Sequence, residues 1–113
     1  MDDGFTKDKH KQLFTGLVYS VYSSGMAQLG KTANPFTGKV ERNLEQARYS
    51  VEMLEMIKIK TEGNLDKDEK AVVEMQLTNL RLNFVDELKR DKEKKPEPEP
   101  ESEADEKADD TEN

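Results

Sequence analysis

"GMAQLGKTANPF", residues 25–36, is the stretch on which the fold turns. Its first eight letters satisfy G-x-x-x-x-G-K-[ST], the pattern in which backbone amides cradle nucleotide phosphates and a lysine reaches the terminal ones. Such a motif works as a loop that leaves a strand and opens a helix, because the helix N-terminus supplies the amides and the dipole. Here the order is reversed. The preceding Leu13, Phe14, Leu17, Val18, Val21 and Tyr22 recur at helical spacing. Pro35 comes three residues after Thr32 and drives Asn34 out of helical backbone, so a helix opened by Lys31-Thr32 breaks in its first turn. No apolar strand ending in Asp follows to hold Mg²⁺, and the chain has no room for a parallel sheet. A glycine ending a helix in left-handed backbone, Gly30, accounts for the same letters. Nucleotide binding through Gly25–Thr32 is therefore the alternative reading, and the leading one is an all-α chain.

Working outward, periodicity gives three helices and a tail. The first spans about residues 7–29. The second spans about 41–61, with a core stripe of Val40, Leu44, Ala47, Val51, Leu54 and Ile57, and stops at Gly63-Asn64. The third, about 67–89, opens with Asp66 and Glu69 spaced as a capping box and carries Val73, Leu77, Leu80, Phe84 and Leu88 as its stripe. The short connection at Gly63–Leu65 predicts an antiparallel pair of helices two and three, with Leu65 packing under the corner.

At 113 residues the chain has room for one domain. Residues 91–113 hold 11 of the 25 acidic residues and 4 of the 18 basic ones, so this segment carries the whole net charge of −7 and residues 1–90 are neutral. With three prolines alternating with glutamate and only two small apolar residues after Arg90, the segment 91–113 is expected to be a disordered acidic tail beside a folding unit of residues 1–90. A neutral body lacks the basic footprint of a nucleic-acid binder, and Lys7, Lys9 and Lys11 are expected to be solvated. The absence of cysteine rules out disulfides and thiolate metal sites and suits a cytoplasmic protein. Met1-Asp2-Asp3-Gly4 has no apolar stretch of a signal peptide. Residues 12–30 carry no charge, but barely half of them are apolar, which argues for a helix buried in protein and against a membrane span.

Candidate chemistry is sparse. A catalytic triad or a histidine metal site would rest on His10, the single histidine, which sits between lysines near the N-terminus. Glu45, Glu52 and Glu55 share a helix face but lack the Glu-x-x-His of di-iron bundles. The run from Asp66 lacks the glycine and the later glutamate of a calcium loop. The expectation is no catalytic residue, no cofactor and no metal ligand.

Five short motifs in order, "LG" at 29–30, "NPFTG" at 34–38, "NLEQA" at 43–47, "KTEGNL" at 60–65 and "LRLNF" at 80–84, resemble the bacterial proteins of domain-of-unknown-function family 1844. The resemblance covers roughly residues 10–88. It implies a small, mostly helical, cytosolic bacterial protein and brings no activity, ligand or catalytic residue.

Two surfaces remain as candidates. The connection before helix two holds roughly ten residues, against the 2–8 usual between bundle helices. Its expected role is a rigid crossover with Phe36 plugging the end of the bundle. The alternative is a recognition loop made of Asn34, Pro35, Phe36, Thr37 and Gly38. Helix one, meanwhile, has apolar residues over about 240° of its circumference, where an outer helix needs little more than 100°. The rest is a seam of small residues, Gly16, Ser20, Ser23 and Ala27, next to Tyr19. Second apolar stripes occur on helix two at Tyr49, Met53 and Met56, and on helix three at Met75 and Leu82. Three short helices cannot bury two faces each, so the expectation is a homo-oligomer, a two-fold dimer first, with helix one at its centre. An unidentified protein partner is a further expectation; nucleic acid and membrane are not expected partners.

Overall fold

The computed structural model describes residues 3–93, with side chains from Gly4 onward. The expected tail lies outside the described residues except for its first three. Three helices make up the fold: α1 (Asp3–Gln28), α2 (Leu44–Lys60) and α3 (Lys67–Glu93). The described residues contain no strand, only one antiparallel bridge between Leu29 and Arg42.

Pairwise contacts fix the directions. Gln28 meets Ser50 and Leu29 meets Arg42, so α1 and α2 run antiparallel. Arg81 pairs with Glu55, and the Arg48 guanidinium lies 5.4 Å from the centre of the Phe84 ring, so α2 and α3 are antiparallel as expected. Lys11 pairs with Asp68 and Lys31 with Glu87, so α1 and α3 are parallel. The Lys11 contact corrects the expectation of a wholly solvated lysine, since Lys11 ties the start of α1 to the cap of α3 and its pKa is raised by Asp68 and Asp66.

Helix boundaries follow local chemistry. Gly30 takes φ +79°, its amide donates to Ala27 O and the Lys31 amide donates to Met26 O, both at 2.9 Å. These two bonds form the Schellman motif that closes a helix on glycine. Asn43 caps α2 by accepting from the Gln46 amide at 3.1 Å, which moves the start from the expected 41 to Leu44. Val40 consequently falls outside the helix and is exposed, not a core residue. The capping box is present in full: the Asp66 amide donates to Glu69 and the Glu69 amide to Asp66, at 2.9 and 2.8 Å. α1 begins four residues before the expected Lys7 and α3 runs on to Glu93, because no breaker interrupts either and each added residue gains a backbone bond.

The core is one cluster from all three helices. Val18 and Leu29, Leu54, and Val73 and Leu80 are almost completely buried, with Ala47, Val51, Ile57, Leu77 and Phe84 around them. Leu65 packs against this cluster from the α2–α3 corner. α1 approaches α3 closely at Gly25, where an added Cβ would lie 2.7 Å from both methyl carbons of Leu80. Ser50 is buried with its hydroxyl donating to Gln28 Oε1 at 2.7 Å.

Candidate interaction surface

The "GMAQLGKT" letters end a helix. The amides of Gly30 and Lys31 are bound to carbonyls of α1 and are not arranged to cradle phosphate. Lys31 Nζ is held by the Glu87 carboxylate at 2.7 Å. Glu87, which no motif in the sequence singles out, is the centre of the charged cluster at this end. Its side chain is 9% exposed and also accepts from Arg42 Nε at 3.0 Å, while Arg42 reaches Asp91 at 2.8 Å. The Lys31 hydrogen bond, with the charges of Lys31 and Arg42, holds the Glu87 carboxyl below its ordinary pKa against the opposing effect of burial. These pairs lock the crossover between α1 and α2 onto the last turns of α3. One signal was available beforehand: Glu87 lies on the same face as Val73, Leu77, Leu80 and Phe84 at three- and four-residue spacing.

The crossover beyond Lys31 is closed on itself around Asn34. The Asn34 amide donates to Lys39 O and the Gly38 amide to Asn34 O, at 2.8 and 2.7 Å. Asn34 Oδ1 accepts from the amides of Phe36 and Thr37, and Thr37 Oγ1 accepts from the Lys39 amide. Pro35 lacks an amide to satisfy, and Gly38 supplies the φ of +74° that the turn requires. This knot turns Phe36 away from the body. The expectation that Phe36 plugs the bundle is wrong: the ring is 95% exposed, and Leu29 and the Glu87 pairs close that end instead.

The second surface is the outer face of α1. From Gln12 to Gly30 it carries no charge, yet Leu13, Leu17 and Tyr19 are 58, 51 and 45% exposed. At about 100° per residue, with Gln28 marking the α2 side and Gly25 the α3 side, Leu13 and Leu17 lie on the flank of α1 next to α2. Tyr49, Met53 and Met56 lie on the adjoining flank of α2. Tyr19 lies on the other flank of α1. The Lys11–Asp68 and Lys31–Glu87 pairs, 57 and 56 residues apart, set it level with Met75, and Met26 level with Leu82. Met75 and Leu82 themselves lie about 160–180° from Val73, on the outward crest of α3 and not against α1. Gly16, Ser20 and Ser23 are exposed on its crest, and no atom lies within 4 Å of a Cβ added at Gly16. Ala27, expected in the same seam, is instead buried at 8% exposed, beside the turn in which the Gly30 amide donates to its carbonyl. Met53 is partly buried against the core, while Tyr49, Met56, Met75 and Leu82 are exposed.

Elsewhere, a depression of about 410 Å³ opens at the α2–α3 corner over Ile59, Leu65 and Val73. Its two lysines and two glutamates, Lys58, Lys70, Glu62 and Glu74, balance, so it favours neither sign of ligand. Among the described residues no three His, Cys, Asp or Glu side chains group so as to hold a metal ion. No helix of the described residues is long and apolar enough to cross a membrane. His10 is exposed.

The sequence model of the Domain of unknown function (DUF1844) matches residues 11–86, from the third turn of α1 to within two turns of the end of α3. No curated protein and no solved structure matches the chain.

Proposed function

The chain belongs to the family described as a domain of unknown function, DUF1844, and on that premise we propose that it is a small, non-enzymatic interaction module that associates with itself across α1. The observation that carries this is the uncharged outer face of α1 beyond Lys11, with Leu13, Leu17 and Tyr19 half exposed. The stretch of α1 from Gln12 to Gln28 has no charge on any side, yet in one copy it belongs to an outer helix. The uncharged part of α1, Gln12–Gln28, is about 25 Å long. With half of each neighbouring helix the face is about 20 Å wide, or about 500 Å² per partner, at the small end of specific interfaces. In the same proposal the associating unit runs to the end of α3 at Glu93, and the residues beyond it are an appended acidic segment. The cytoplasm of a bacterial cell is the proposed setting, with neither nucleic acid nor membrane as a partner.

Sedimentation velocity at micromolar concentration tests the proposal. A dimer is expected, and Ser20→Glu, which places a charge on the crest of α1 without touching the core, shifts it to monomer. A single species at 12.9 kDa refutes self-association.

The exposure of Phe36 favours a second role on the same module, capture of a protein partner by the pre-ordered loop Asn34–Gly38. A fixed aromatic needs little ordering on binding, which is the character of an interface anchor. Phe36→Ala is expected to leave the melting temperature of the protein unchanged and to abolish co-purification of a partner from the native cell. Retained co-purification overturns this role.

A further inference from the structure

Resting on the reading of residues 34–38 as a recognition loop, and not on association across α1, we propose that the partner of Phe36 is a second copy of this chain, whose α2–α3 corner receives the ring. The two halves of that contact lie at opposite ends of the protein. Phe36 stands on the crossover before Leu44, while the depression of about 410 Å³ is lined by residues 58–63, Leu65 and the first two turns of α3. Seventeen residues make α2 about 25 Å long. Ring and depression therefore cannot meet within one chain.

Each half lacks what the other supplies. The Phe36 ring and the nearby Val40 are exposed. The hydrogen bonds of Asn34 and Thr37 already fix the loop, so the ring is presented at little further cost in backbone order. In the depression Val73 is almost completely buried, Leu65 is partly buried against the core and Ile59 is 69% exposed. These three make an apolar floor and side of graded depth. The volume falls in the range of about 300–1,000 Å³ that takes a compact organic group, and an aromatic side chain is such a group, burying about 150–250 Å² when covered.

Charge fits the same occupant. Lys58, Glu62, Lys70 and Glu74 around the depression are exposed, as are Lys39 and Glu41 beside the ring, and none of the six makes an ion pair among the described residues. A small anion in the depression would meet two glutamates, and a small cation two lysines. A neutral ring flanked by one charge of each sign offers Lys39 to the glutamates and Glu41 to the lysines, with no net repulsion on approach. One ring and its neighbours cover far less than the about 1,200 Å² of a lasting complex. The contact is accordingly weak and reversible, and forms where copies are concentrated.

Replacing Phe36 with p-benzoylphenylalanine in the full chain keeps an aromatic ring on the loop and, on irradiation, bonds it to C–H groups beside it. The purified protein is irradiated at about 100 μM, a concentration suited to so small an interface, and the cross-linked peptides are identified by mass. The expected product joins residue 36 to the segment 58–74 of a second chain. Ile59→Glu puts a carboxylate where the ring seats, and should lower that product by about tenfold or more, because a charge would be buried against the ring. At a site 69% exposed it should leave circular dichroism and melting temperature unchanged. A product that persists in Ile59→Glu, or that maps to any segment other than 58–74, overturns the docking. Irradiation in an extract of the native cell separates this proposal from the reading it rests on. A product with a different protein, and none between copies, overturns the second copy as partner and leaves the recognition loop standing. No product in either setting removes the recognition loop, and the docking with it.

Discussion

Gly25 offers the sharpest test of the packing that holds α1 against α3. Alanine in place of glycine inside a helix ordinarily stabilises by about 0.5–1 kcal/mol, because the unfolded chain has less freedom to lose. At Gly25 the added Cβ lies 2.7 Å from Leu80 Cδ1 and Cδ2, and Leu80 is fully buried. Relieving that overlap means displacing a packed side chain or widening the helix crossing, which costs about 1–3 kcal/mol. The net expectation for Gly25→Ala is a loss of about 1 kcal/mol, or about 4–8 °C in melting temperature for a unit of this size. Leu80→Val alone removes one methylene and costs about 1 kcal/mol. The two together relieve each other, so the double variant should sit about 1–2 kcal/mol above the sum of its parts. Urea denaturation of the four proteins at one concentration measures the cycle. Gly16→Ala, made in the Ser20→Glu background so that self-association does not enter, is the control, since its Cβ meets no atom of its own chain within 4 Å and the propensity gain should survive. If Gly25→Ala stabilises as Gly16→Ala does, and adds simply to Leu80→Val, the close crossing at Gly25 does not exist.

At pH 7 Glu87→Gln is expected to destabilise by about 1–2 kcal/mol, the value of charged hydrogen bonds discounted for the part-exposed Lys31 and Arg42. Because the folded Glu87 pKa is depressed, its contribution is present above the unfolded value near 4.5 and is lost as pH falls through the folded one. Thermal melts from pH 7 to 3 should therefore show the gap between parent and variant closing, and a gap constant with pH contradicts the ion-pair account. Gln76 is 5% exposed and its side chain makes no hydrogen bond among the described residues. Gln76→Met should raise stability by about 1 kcal/mol, measured by urea midpoint, and a loss would mean that the amide has a partner. Truncation after Glu93 should leave the melting temperature and helical signal unchanged. Truncation after Arg90 should lower stability by less than about 1 kcal/mol through the lost Asp91–Arg42 pair, and a drop of many degrees on the first cut would show that the acidic segment supports the fold.

What residues 25–36 determined alone is the class of the fold. Gly30 before a proline-bearing turn can end a helix and cannot open one, a decision made by backbone sterics within a few residues. The Asp66–Glu69 box, the stop at Gly63 and the stripe from Val73 to Phe84 are legible for the same reason, since caps and helical faces depend on neighbours at most four residues away. Asn43 was equally legible as a cap, three residues before Gln46, but the apolar Val40 and the acidic Glu41 masked it. Burial across the body is another matter. The sequence cannot say that Glu87 is covered by Lys31 and Arg42, 56 and 45 residues away, or that Gly25 rather than Gly16 bears the close approach of α3. The knot around Asn34 was local, but whether Phe36 pointed into the bundle depended on how Leu29 and the Glu87 pairs had already closed that end. Ala27 shares the azimuth of the small-residue seam and is buried all the same, which its spacing does not show. Helical periodicity gives each side chain an azimuth, and only the crossing of three helices decides which azimuths meet protein and which are left to meet water or a second copy.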